Sequence, residues 1–240
     1  MKLNKLATAT ALAATLITSS SAFALAITPT VSFNPGTTLN TTGISTFTTS
    51  GAQMAGMLVT AYFSGGTSES VSWAAGVGSA GAATGTNWSL GFAGATTFSP
   101  FWELLTTGNL SADITRLVID AQPGDTIFDT ITGIETTPGS AQGWPFSDVD
   151  GPAGLGVTAA YLNQVALNGT VYGDLFTVLD IGFFTATGAA GGLGANSRLI
   201  FTADTDNTTV RGDLNPIPEP ATLALLGLGL FGLGAMRRKA

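Results

Sequence analysis

Residues 156–167 read GVTAAYLNQVAL, and residues 170–183 read TVYGDLFTVLDIGF. They are the longest stretches able to form strands, and the fold class turns on the first of them. Its alanines would support a helix equally well, whereas threonine favours an extended chain. As strands, the two runs form the centre of a sheet. Working outward, ITRLVIDA (114–121) alternates, with Leu117 and Ile119 on one face. QMAGMLVTAYFS (53–64), ESVSWAA (69–75), NWSLGFAG (87–94) and SRLIFTAD (197–204) supply further strands. The stretch from Ile27 to Phe47 reads as an edge strand or extended arm, and VGSAGAATG (77–85) as a small-residue loop. Glycines between the runs mark turns. No repeat recurs at a fixed period, which argues against a solenoid.

This order predicts a mostly β body, an antiparallel β-sandwich or a jelly-roll-like variant, with a barrel as the alternative. An outer-membrane barrel would need longer, more even strands flanked by aromatic girdles.

Composition narrows the chemistry. The 240 residues hold 8 basic and 15 acidic side chains, 32 glycines and 37 threonines, with no His and no Cys. Disulfides, thiolate or imidazole zinc sites, Ser-His-Asp triads and Cys-His pairs are therefore excluded. A net charge of -7 argues against a nucleic-acid partner.

The front end, MKLNKLATATALAATLITSSSAFALA, has the three parts of a secretory signal. Lys2 and Lys5 supply the positive start and Leu6 to Ile17 the apolar core. Ala22 and Ala24 fit the small-x-small cleavage rule for signal peptidase. The predicted divisions are a signal peptide over 1–24, a β-rich extracytoplasmic domain over 25–214 and a C-terminal signal over 215–240.

Within the body, two short acidic stretches could hold a hard cation. Asp204, Asp206 and Asn207 offer side-chain and carbonyl oxygens at close spacing, as calcium requires. Asp148 and Asp150 form a weaker pair of the same kind. Either stretch could instead be a polar turn bonded to its own backbone. Trp88 and Trp144 could stack on a glycan, although tryptophans also serve as core. The glutamates show no matched pair for glycoside hydrolysis, and lysine is absent between the two terminal segments. No catalytic residue is expected. Readings as a carbohydrate-binding module or as a hydrolase with paired carboxylates stand as alternatives.

The last 26 residues read NPIPEPATLALLGLGLFGLGAMRRKA. Prolines favour an extended lead-in. The uncharged run 221–236 is expected to form a short transmembrane helix, with Arg237, Arg238 and Lys239 as stop-transfer charges on the cytoplasmic side. As a helix it spans about 24 Å against a hydrocarbon core of about 30 Å. Pro218, Glu219 and Pro220, the apolar run and the basic end together resemble the PEP-CTERM sorting signal of Gram-negative bacteria. That resemblance implies an exosortase-type transpeptidase as partner and transient anchoring in the inner membrane. It also implies delivery to the cell surface or an exopolysaccharide matrix. GSAQGWPF (139–146), YGDLFTVLDIGF (172–183) and FTADTDN (201–207) resemble a motif order found in bodies ahead of this signal. The likeness implies that the three belong to one domain and carries no activity.

Overall fold

The computed structural model describes residues 30–98, 101–130, 143–152, 154–208 and 212–216. In chain order the strands are β1 (Thr30–Asn34), β2 (Leu39–Thr41), β3 (Ile44–Thr46), β4 (Leu58–Phe63), β5 (Ser68–Ser72), β6 (Ala74–Ala75), β7 (Ala80–Thr84) and β8 (Trp88–Ala93). There follow β9 (Trp102–Thr106), β10 (Ile114–Asp120), β11 (Thr126–Asp129), β12 (Ser147–Asp150), β13 (Leu155–Leu167), β14 (Thr170–Thr185), β15 (Arg198–Thr202), β16 (Asp204–Thr208) and β17 (Asn215–Pro216).

The alanine-bearing stretch is a strand. β13 and β14 form a long hairpin, with Leu167 opposite Thr170. Its two-residue turn is Asn168-Gly169, with φ of 50° and 79°. Asn-Gly suits that left-handed pair, whose twist matches the flanking strands. With the turn locked, the alternating side chains of both strands are committed to fixed faces.

Around this hairpin the large sheet runs β17-β2-β13-β14-β10-β4-β5, and β11, β16 and β3 branch from β14. The small sheet runs β12-β15-β9-β8-β7-β6. The architecture is a largely β, curled, sandwich-like fold. It is not wholly antiparallel, because β1 and β2 both pair parallel to β13. The chain crosses between the sheets at buried Trp73, which interrupts the single strand expected over 69–75. Trp73 donates from Nε1 to Gly51 O at 2.7 Å, fixing the crossing point.

Both sheets feed one core. Trp88, Phe92, Trp102 and Phe201 of the small sheet meet Leu117, Ile119, Leu179 and Ile181 of the large one. Trp102 is its hub. Its ring contacts Trp73, Phe92 and Phe201 at 5.4, 5.5 and 5.8 Å between centroids. Its Nε1 donates to Ala203 O at 2.8 Å. A second, smaller cluster joins Leu39, Ile127, Val165, Leu175 and Leu214. Sequence neighbours Ile127 and Phe128, like Leu175 and Phe176, divide between the two clusters. Successive strand residues point to opposite faces, so the sheet is buried on both sides here.

The transmembrane helix expected over 221–236 finds no counterpart in the structure: among the described residues, no helix is long and apolar enough to cross a membrane. The run 221–236 and the charges Arg237, Arg238 and Lys239 lie outside the described residues, as do the signal segment with Ala22 and Ala24, and Pro218, Glu219 and Pro220. The last described strand, β17, pairs with β2 through Asn215 opposite Asn40 and Pro216 opposite Leu39.

Candidate functional site: a buried carboxylate cluster

The acidic stretch 203–209, read from sequence as a turn or loop, contains a central strand. β16 pairs with β11 on one side and β3 on the other. Opposite neighbours are Asp129 with Asp204, and Ile127 with Asp206. Alternation puts Asp204 and Asp206 on one face. Asp129, Asp204 and Asp206 each bring a carboxylate oxygen within 4.8 Å of the others, and all three are buried. Asp174 on β14, also buried, adds its charge to the same field. Its main-chain oxygen accepts from Thr130 N and Thr130 Oγ1, both at 2.9 Å, beside Asp129.

The members differ in support. Asp204 Oδ1 accepts from Thr97 Oγ1 at 2.7 Å and from Thr205 N at 3.0 Å. Asp206 is fully buried, and neither of its carboxylate oxygens has a hydrogen-bond partner. Burial pushes its carboxyl up to about 9, and repulsion from Asp129, Asp204 and Asp174 adds to the shift. Burial pushes Asp204 up to about 6, against the hydrogen bonds from Thr97 and Thr205. The described arginines serve elsewhere: Arg116 binds Asp180 at 2.7 Å, and Arg198 pairs with Asp150 and Glu103. An all-oxygen group of this kind can chelate a metal ion.

Sequence reasoning found half of this group. Asp204 and Asp206 belong to it. Asn207 does not, because its side-chain amide is spent on the segment 49–53 and on β11. Its Oδ1 accepts from Thr49 Oγ1, and its Nδ2 donates to Gln53 O and Thr126 Oγ1. Asp129 and Asp174 were missed, since they lie 75 and 30 residues from Asp204 and only register unites them. The Asp148–Asp150 pair is not part of the group. It sits on edge strand β12, where Arg198 engages Asp150.

The two tryptophans also separate. Trp88 is 2% exposed and donates from Nε1 to Glu69 Oε2 at 2.6 Å, so it is core and cannot stack on a glycan. Trp144 is 42% exposed and meets Phe98, equally exposed, edge to face at 5.2 Å. This pair sits beside the acids: Trp144 O accepts from Asp204 N at 2.9 Å, and Thr97 adjoins Phe98.

Residues 216–239 match the family model described as the PEP-CTERM protein-sorting motif. The chain carries a PEP-CTERM sorting motif. It is accordingly an exported, surface-sorted protein, recognised by an exosortase-type sorting system. No curated protein and no solved structure matches the chain.

Proposed function

We propose that the body is a noncatalytic domain of the cell surface or exopolysaccharide matrix, carried there as cargo of the PEP-CTERM motif. The observation that supports it is the sealing of the acid cluster. Asp129, Asp174, Asp204 and Asp206 are 0–3% exposed, whereas glycoside hydrolysis sets two carboxylates about 5–10 Å apart across an open cleft. The open groove on the small sheet, lined in part by Ala80, Gly91 and Phe101, has one carboxylate among its described residues, Glu103, which faces Arg198 at 3.9 Å. In this reading the signal segment is removed after Ala24. The test is a tagged body in cells with and without the exosortase-type protease. Removing the protease changes both its location and its intact mass. Unchanged location and mass refute sorting. Polysaccharide cleavage by the purified protein that disappears with Asp206→Asn refutes the noncatalytic reading.

The exposed Phe98–Trp144 pair favours a second reading, a carbohydrate-binding module, because aromatic faces stack on sugar rings. A glycan pull-down with Trp144→Ala tests it. Loss of binding supports the reading, and unchanged binding removes Trp144 from it.

A further inference from the structure

We propose that Asp129, Asp204 and Asp206 form a calcium site that clasps β11 to β16 of the large sheet beside the segment bearing Trp144. This goes beyond surface delivery, since sorting by the C-terminal motif does not require the body to bind an ion.

The deciding observation is Asp206. A buried polar group without a partner costs about 1–3 kcal/mol, and more when charged. Here both oxygens of one fully buried carboxylate lack a hydrogen-bond partner, and they belong to a group of buried acids. A carboxylate held in this way needs a proton or a cation to offset its charge.

The donor chemistry selects the ion. Carboxylate oxygens are hard ligands, and calcium takes 6–8 of them at flexible angles. Magnesium keeps most of its waters and uses one or two carboxylates, which suits three converging acids less well. The chain has no His or Cys to favour a softer metal.

The surroundings are built for fixed ligands. Thr97 and Thr205 orient the Asp204 carboxylate, the kind of support that metal ligands receive from the residues behind them. Gly143 lies against Asp129 so closely that a Cβ there would fall 2.5 Å from Asp129 Oδ1. The next residue, Trp144, accepts from Asp204 N through its carbonyl. Parts of all three motif stretches noted in the sequence meet at this one place: Gly143 and Trp144, Asp174, and Asp204 with Asp206. An ion there joins β11 to β16 where the sheet is buried on both sides.

Extracellular calcium modules bind with dissociation constants of roughly 10⁻⁴ to 10⁻³ M, so the titration must reach millimolar ion. The full chain, stripped with chelator, is titrated with calcium chloride by calorimetry and melted with and without the ion. Magnesium chloride is run in parallel. The expected result is one saturable calcium site and a melting midpoint raised by calcium more than by magnesium. Asp206→Asn keeps the side-chain shape, weakens calcium binding by roughly 100-fold through the lost ligand charge, and abolishes the shift. Asp148→Asn, at the separate acid pair, leaves both intact. The wild-type arm stands even if the Asp206 variant fails to fold. Absence of saturable binding at millimolar calcium overturns the site, as does a calcium response that survives Asp206→Asn. Preference for magnesium overturns the choice of ion.

Discussion

Replacing Gly143 with alanine should be among the more damaging single-methyl additions to this protein. An ideal Cβ on Gly143 lies 2.4 Å from the carbonyl carbon of Asp129 and 2.5 Å from its oxygen. Non-bonded carbons rest about 3.5–4.0 Å apart, so the new methyl must retreat by about 1 Å. The obstacle is largely backbone and cannot swing aside. Forcing extra methylenes into packed interiors costs about 1–3 kcal/mol, and a backbone obstacle places Gly143→Ala at the upper end, about 3 kcal/mol. At a urea dependence of about 2 kcal/mol/M, the unfolding midpoint falls by about 1.5 M. Gly91→Ala is the matched control. There the nearest atoms to an added Cβ are Gly81 O at 3.9 Å and Ala82 Cβ at 4.0 Å. A glycine replaced without strain gains about 0.4–1 kcal/mol by stiffening the unfolded chain, raising the midpoint by about 0.2–0.5 M. Equilibrium urea unfolding followed by tryptophan fluorescence measures both. Midpoints for the two variants within about 0.5 M of each other would refute the packing argument.

Three further outcomes are expected. Trp102→Phe removes the donor to Ala203 O and part of the central ring, and should lower stability by about 2–3 kcal/mol in thermal melts; a loss under about 0.5 kcal/mol contradicts its role as hub. In chelator, raising pH should destabilise the fold. An unfolded aspartate gives up its proton near pH 3.9, whereas native Asp204 keeps it to about 6 and Asp206 to about 9. The native state therefore binds more protons between those values, and the melting midpoint at pH 8 should lie below that at pH 5. A midpoint that climbs over this interval counts against the buried-acid account. Glu69→Gln should cost about 1 kcal/mol, because the carboxylate accepts from Thr86 N, Thr86 Oγ1 and Trp88 Nε1. Those bonds hold its pKa below the usual value against the opposing effect of burial, so their contribution disappears in acid. An unaltered melt at neutral pH would set that role aside.

Where side chains alternate, local pattern and structure agree. ITRLVIDA became β10 with Ile114, Leu117 and Ile119 buried, and the long runs after Gly154 became the central hairpin. Where small or acidic residues form strands, composition misled. The segment read as a small-residue loop contains β7, because Gly81 must leave room for Gly51 and Trp73. A Cβ there would fall 2.2 Å from Gly51 O and 2.3 Å from Trp73 Nε1. The stretch 203–209 reads as polar, and strands are depleted in Asp and Asn. Yet β16 lies in the interior of the sheet, and its acids are legible as a group only once β11 has been registered against it. Local periodicity carries no information about which distant carboxylates will face one another. The isolated Trp codes are equally silent: Trp88 and Trp144 differ in fate because one lies on the inner face of β8 and the other just before β12.

The pairing of β17 with β2 has a mechanical corollary for delivery. The described sheet reaches Pro216, and the Pro-Glu-Pro triplet starts at Pro218. Two residues of fully stretched chain reach about 7 Å. Any machinery that grips the triplet while β17 stays paired must therefore work within one strand-width or two of the folded sheet. Its access is governed by the β2 edge as much as by the peptide it reads. To gain slack, it must first strip Asn215 and Pro216 from Asn40 and Leu39.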